Sequence, residues 1–574
     1  MTVFRVWAPR PAAVELALGG EPRPMTRDPD DWWSLDVPEA GAGSDYAFVL
    51  DGAGPFPDPR SPWQPEGVHG PSRLVEHAAY PWTDHGFEPV PLAQAAFYEL
   101  HVGTFSAAGT FEGAIEQLDH LVTLGVTHVE LMPVVEAPGD RGWGYDGVDL
   151  FAPHHTYGGP EGLKRLVAAC HDRGLAVILD VVYNHLGPDG NYLARFGPYF
   201  SPRYTTPWGE AVNFDAAGAD EVRAFVLDNV RMWVGDYHAD GLRLDAVHEL
   251  FDRSAVHILE EMAATVHELG RSMGRRACLI AESDLNDPRL VREVTAGGHG
   301  LDAQWLDDFR HALHVALTGE TDVFSAQYHG LADLAYSLSR GYVFDGRFSS
   351  FRGRRHGRPA GDVPTTRFVS FLQNHDQAGN RPFGERSSML LKTEQLRVAA
   401  GLVVLGPYLP LLFAGEEWAA STPFLYFTDH VDPRLADAVR AGRQAEFGHL
   451  ATSGRELPDP QDRASFERSR LDWSEAGREP GATMLAWHRT LLAFRRDHDA
   501  FRSGSHPAVR FDTAEGWLTA DYGDVVIGAS LGDRPASAPL APGRGWEVAL
   551  ASRDDIRVED GILCLPPWSF AALT

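Results

Sequence analysis

The sequence predicts an α/β protein, a (β/α)8 TIM barrel held between an N-terminal and a C-terminal β-sandwich domain. Three observations carry that reading. Eight apolar, strand-like runs with helical patterns between them fill the middle of the chain, roughly the first 90 residues alternate with period two, and roughly the last 70 return to that alternation. At about 150 residues per domain, 574 residues leave room for two to four domains with a large core.

In the first domain, 1–90, Val3, Arg5 and Trp7 alternate with Phe4 and Val6. Runs at 14–18, 32–37 and 46–50 follow, separated by Gly, Pro and Asp clusters, as short sandwich strands are. The Pro- and Gly-rich stretch 52–92 makes the boundary. The barrel, 91–500, takes its strands from 96–103, 127–134, 176–183, 241–247, 278–283, 302–306, 367–374 and 409–415. Between them Ile115, Leu118, Leu121, Val122 and Val126 are expected on one helix face, and Ile258, Met262, Val266 and Leu269 on another. Two stretches, 184–218 and 416–482, are too long for simple loops and are expected to shape a cleft at the C-terminal side of the barrel. The last domain, 501–574, has strand-like runs at 517–520, 525–529, 546–550 and 569–573.

Composition excludes some functions. With 80 acidic and 50 basic residues the formal charge is −30, which argues against a nucleic-acid partner and otherwise reads as a solvated acidic surface. Cys170, Cys278 and Cys564 are far apart, so neither a disulfide framework nor a structural zinc site is expected, and a reducing cytoplasm fits. Residues 1–7 hold no apolar signal core, and no run reaches the ~18 apolar residues of a membrane span.

The chemistry sits in polar residues at the ends of apolar strands. The third strand ends in Asp180-Val181-Val182-Tyr183-Asn184-His185, and the fourth reads Gly241-Leu242-Arg243-Leu244-Asp245-Ala246-Val247-His248. The fifth delivers Glu282, and the seventh Asn374-His375-Asp376. Asp245, Glu282 and Asp376 thus converge on the barrel mouth, where mutual repulsion raises at least one pKa unless cations match them. Arg243, two residues before Asp245, shares its face and can keep it ionised. One ionised and one protonated carboxyl is the requirement of glycoside hydrolysis. Singly, each residue has a plainer reading: a strand-end Asp as a helix cap or surface ion pair, Asp180 as a structural or orienting group, and His185, His248 and His375 as core histidines. Together, at four strand ends, they are poorly explained by independent structural roles.

These four segments resemble the four motif regions of the α-amylase superfamily of glycoside hydrolases and transglycosylases. The resemblance implies that Asp245 is the nucleophile, Glu282 the general acid/base and Asp376 the carboxylate that holds sugar hydroxyls at the transition state. It implies that His185, Arg243 and His375 line the subsite of the attacked glucose, with His248 and Arg381 also on the substrate. Tyr145, in Trp143-Gly144-Tyr145-Asp146-Gly147, matches the aromatic platform under that sugar, its alternative being a buried core tyrosine. The segments 4–9 (Phe-Arg-Val-Trp-Ala-Pro) and 98–103 (Tyr-Glu-Leu-His-Val-Gly) resemble the branch that contains glycogen branching enzymes, isoamylases and trehalose-releasing hydrolases. Segments 206–209, 305–314, 374–384, 415–418 and 427–430 narrow the resemblance to the last of these. Arg310 departs from it, standing where a His is expected.

The implied reaction is cleavage, with retention, of the α-1,4 bond next to the terminal trehalose of maltooligosyltrehalose, downstream of a maltooligosyltrehalose synthase. The two reacting carboxyls are then expected about 5–5.5 Å apart. Trp208 and Asp307-Asp308-Phe309 are the candidates for reading the trehalose, the alternative for Trp208 being to plug an apolar gap in its insertion. The rival readings are a glucan branching or debranching enzyme with the same triad and, remotely, a non-catalytic glucan-binding scaffold. No metal or cofactor is expected. Asn184 matches a ligand of the superfamily's calcium amylases but lacks companion carboxylates, while His154-His155 and the Asp28–Asp31 stretch lack ligand spacing and read as surface polar sequence.

Overall fold

The computed structural model of the protein describes residues 2–320, 325–448 and 456–574. Part of the expected 416–482 insertion, residues 449–455, lies outside them. Among the described residues no helix is long and apolar enough to cross a membrane.

Eight parallel strands close into a barrel: Phe97–Leu100, His128–Leu131, Ala176–Val181, Gly241–Leu244, Cys278–Ala281, Ala303–Trp305, Phe368–Phe371 and Leu409–Phe413. Each pairs with its neighbours in sequence, and the last pairs with the first. Every strand-like run holds one of them. Each strand is shorter than its run, and in the third, fourth, fifth and seventh the residues beyond the ladder include the polar ones of the mouth.

Strand alternation decides what the barrel contains. Phe97, Ile178, Ile280, Ala303, Trp305, Val369, Phe371, Leu409 and Leu411 meet inside it as one buried cluster. Their strand neighbours Tyr98, Leu179, Leu242 and Leu412 pack outward into the larger core beneath the helices. Two steps beyond an inward apolar residue stands an inward polar one: Glu99 after Phe97, Asp180 after Ile178, Glu282 after Ile280. The barrel is therefore apolar at its base and charged at its mouth. Gly241 lies in the tight base, where a Cβ would come within 2.6 Å of the Cys278 carbonyl oxygen and 2.8 Å of Ile178.

Helix Ile258–Met273 buries Ile258, Met262 and Val266 completely, with Leu269 at the margin of the same core. The other expected face is corrected. The chain breaks into two short helices, Phe111–Ile115 and Leu118–Leu124, and Val122 is exposed. Leu118, Leu121 and Leu124 form the buried face, centred on Leu121, and Val122 lies 100° of helical rotation from that centre, on the solvent side.

The flanking domains each hold two sheets. At the N-terminus a three-stranded sheet (Thr2–Trp7, Trp32–Val37, Thr26–Arg27) is accompanied by a five-stranded one centred on Val14–Ala17 and Asp45–Leu50, with Phe4, Val6, Leu16 and Phe48 buried. At the C-terminus five-stranded and three-stranded sheets form, including Ala508–Asp512, Ala536–Pro539, Arg557–Glu559 and Ile562–Leu565, which the sequence pattern did not mark. Phe570 joins the last domain to the barrel, its ring lying where a Cβ on Gly401 would sit only 2.6 Å away.

The two stretches expected as insertions carry elements of their own. The 184–218 stretch carries a hairpin, Phe200–Thr206 with Gly209–Val212, and the 416–482 stretch carries helices Pro433–Phe447 and Arg463–Arg468. A third was not anticipated. Between the sixth and seventh strands run two helices, Asp307–Thr318 and Leu331–Arg340, and a small hairpin, Phe348–Ser349 with Arg354–Arg355.

Candidate active site

Arg243 is the hub of the mouth. It is fully buried, and its guanidinium lies 4.4 Å from the Trp305 ring centre. Nη1 donates to both oxygens of Asp180 and to Asp245 Oδ1, all at 2.8 Å, while Nη2 stands 2.9 Å from Glu282 Oε2. Burial of a charge among three carboxyls is tolerable only because they neutralise it.

The two reacting candidates are biased in opposite directions. Burial works to raise the Asp245 pKa, but Arg243, the Asn184 amide and His185 outweigh it and hold the carboxyl below its ordinary range. Asn184 donates to Asp245 Oδ2 at 2.8 Å and to its backbone oxygen at 2.9 Å, so this side chain steadies Asp245. Burial pushes Glu282 well above the ordinary range; Arg243 opposes this, and Asp245 and Asp376 add to it. Ala246 takes a left-handed conformation (φ +39°), which brings its N–H to Glu282 Oε2 at 2.9 Å. The strand-four turn thereby fixes the geometry of both acids.

Around them lies a cleft of about 630 Å3 lined by Tyr145, His185, Trp208, His248, His375 and Asp376, besides the two carboxyls. Tyr145 donates to Asp180 Oδ2 at 2.6 Å, and its oxygen lies 2.8 Å from His375 Nε2. Its ring stacks on His375 at 5.1 Å, and it lines the cleft. His185 stacks on Trp208 with centroids 4.3 Å apart and planes 13° from parallel. Trp208 occupies the tip of the 200–212 hairpin and is 52% exposed, so it fills no apolar gap. His248 lines the cleft 3.9 Å from Asp284.

Three expected substrate residues are not brought to the cleft. Asp308 is buried, accepting from Asn286, from the Tyr328 hydroxyl and from the backbone N–H groups of Val343 and Phe344. It braces the third insertion. Phe309 is fully buried in the core against Tyr408. Arg381 is occupied by Glu320, with both Nη atoms 3.1 Å from its oxygens. Asp307 does join the charged cluster: burial drives its pKa up to about 7, Asp376 adds to this and Arg310 opposes it. Arg310 itself is buried, its Nε 3.4 Å from the Leu372 carbonyl.

His154 is not surface sequence, and His155 is half-buried. His154 and Glu136 are buried, and ligand atoms of Glu136, His154 and His155 lie within 4.8 Å of one another. Glu136 already accepts from both the backbone N–H and Nδ1 of His155 at 2.8 Å, so the cluster reads as a strand-to-helix brace.

The cleft also holds residues that the sequence reading passed over. Trp143 and Asp146 flank Tyr145 in the segment already singled out, and His430 closes the 427–430 segment. Leu435 and Val439, one helical turn apart on Pro433–Phe447, carried no such signal.

A closed parallel barrel whose mouth gathers acids of opposite protonation around one arginine defines an α-amylase-type glycoside hydrolase. The alpha amylase catalytic-domain family matches residues 92–199. A crystal structure from Salmonella typhimurium, described as an alpha amylase, superposes with a TM-score of 0.91 at 37% identity, covering 100% of this chain and 97% of that one. The malto-oligosyltrehalose trehalohydrolase of Arthrobacter ramosus is 50% identical over 93% of this chain and 94% of its own length. That of Mycobacterium tuberculosis (strain H37Rv) is 46% identical over 100% and 99%. The chain belongs to the malto-oligosyltrehalose trehalohydrolase family.

Proposed function

We propose that this glycoside hydrolase acts on maltooligosyltrehalose through Asp245 as nucleophile and Glu282 as acid/base, releasing trehalose. The observation that carries the assignment is the single guanidinium of Arg243 placed against both carboxyls, 2.8 Å from Asp245 and 2.9 Å from Glu282. Glu282, kept protonated by burial, gives its proton to the glycosidic oxygen while ionised Asp245 attacks the anomeric carbon. The Glu282 carboxylate left behind then takes a proton from water, which displaces Asp245 with net retention. Asp376, partly exposed in the cleft, is placed to hold sugar hydroxyls, and Tyr145 offers its stacked ring beneath the sugar.

The choice of substrate rests on the names of the relatives and on the half-exposed Trp208, whose open face suits a sugar ring on the leaving side. Maltooligosaccharides present the same bond and are expected as poorer substrates. The substrate requires a maltooligosyltrehalose synthase upstream, and three free cysteines fit a cytoplasmic setting. Product analysis on maltooligosyltrehalose, amylose and a branched glucan tests the reading. Trehalose is the expected product of the first; its absence, or new branches from amylose, overturns the proposal.

A further inference from the structure

We infer that Glu99, inside the first barrel strand, is a positioning residue that clamps His375 with both ring nitrogens donating, and so orients the Tyr145 platform. This deepens the reading of the cleft given above. Both partners are buried, Glu99 and His375 each to within 1% of full enclosure.

The hydrogen-bond directions require the arrangement. Glu99 Oε2 accepts from the His375 backbone N–H at 3.0 Å, and Oε1 accepts from His375 Nδ1 at 2.5 Å. The Tyr145 hydroxyl spends its only proton on Asp180 Oδ2 at 2.6 Å, so its contact with His375 Nε2 at 2.8 Å needs the proton to come from the ring. A neutral imidazole has one N–H and cannot donate at both ends. With Asp180 accepting from Arg243 as well as from Tyr145, the geometry therefore calls for the imidazolium, with Glu99 as its anchor at Nδ1.

The groups facing His375 from each packed element agree. Glu99 comes from the first strand, Asp376 from its own segment (3.5 Å from Nε2), Arg243 from the fourth strand, and Tyr145 with Asp180 from the mouth. His101, after the first strand, is pushed down to about 4 chiefly by burial and is neutral. Glu130, beside Glu99 on the second strand, is pushed well above the carboxyl range by burial and adds no charge. Burial of His375 opposes its charge, but Glu99 and Asp376 outweigh it and raise the pKa to about 9, against the pull of Arg243. With the folded value raised, the clamp's stabilisation is complete below about pH 6.5 and lost as pH rises through about 9.

Glu99→Gln keeps the shape and removes the charge. The experiment compares kcat/KM against pH for the wild type and Glu99→Gln, alongside 15N NMR of histidine-labelled protein, with the His375 signals assigned by their loss in His375→Asn. The expected result is a wild-type His375 protonated on both nitrogens at pH 8 and a neutral ring in Glu99→Gln. The variant's alkaline limb then moves down by a pH unit or more, about a tenfold loss at pH 8. Superimposable pH profiles with a uniformly lower kcat would assign Glu99 a merely structural role and overturn the proposal. If Glu99→Gln does not fold, the wild-type spectrum decides: a neutral His375 at pH 8 overturns it. The NMR readout needs no substrate, so it stands apart from any failure of the trehalose-release assay.

Discussion

The barrel mouth and the segment after the sixth strand were read from equally polar sequence, yet the structure treats them differently. In the mouth, Glu99, Asp180, Arg243, Asp245 and Glu282 continue the inward face of strands whose lower residues are apolar, and they converge. After the sixth strand, Asp307, Asp308 and Phe309 open a helix, and only Asp307 joins the charged cluster. Asp308 turns to the 343–344 backbone, and Phe309 enters the core. A strand repeats its direction every second residue, whereas three consecutive helical residues spread over 200°. A conspicuous run of residues is thus weaker evidence for a site than single residues spaced by two.

The comparison breaks most visibly at Asp245. Asp245→Asn is expected to lower kcat by on the order of 10⁴ or more, because it removes the covalent step. Steady-state rates measure the loss, and an NMR time course on the wild type must show the retained anomer first; an inverted first product would refute the mechanism. Glu282→Gln should lower kcat by about 10²–10⁴ while substrate still binds, as calorimetry can check. Near-normal turnover would remove Glu282 from its role.

Two smaller effects sharpen the other side. Phe309→Ala, cutting a fully buried ring, should cost about 3–5 kcal/mol of stability while the folded fraction keeps its kcat. A normal melting temperature with lost activity would return Phe309 to the substrate site. Trp208→Ala should lower kcat/KM for maltooligosyltrehalose more than for maltopentaose, by about 1–3 kcal/mol for one stacked ring. Equal losses on both substrates would mean that the side chain supports its hairpin and His185 without reading trehalose.

Much of this protein was legible in order and alternation. The eight strands, their polar ends and the flanking sheets follow from period-two runs bounded by turn residues, because a strand's neighbours along the chain decide which side of it is buried. Arg243 and Asp245 were put on one face by their spacing of two and Glu282 was legible as a polar strand end, while the roles of the two acids came from the family resemblance. Only the tertiary structure could decide the rest. Arg381 met Glu320 across 61 positions, Asp308 met Asn286 and Tyr328, and Val122 faced solvent when its helix broke. Glu99 found His375 across 276 positions, because closing the barrel sets its first strand within reach of the seventh strand's end. Local sequence determines which way a strand residue points; which distant group it finds there depends on how the sheet closes.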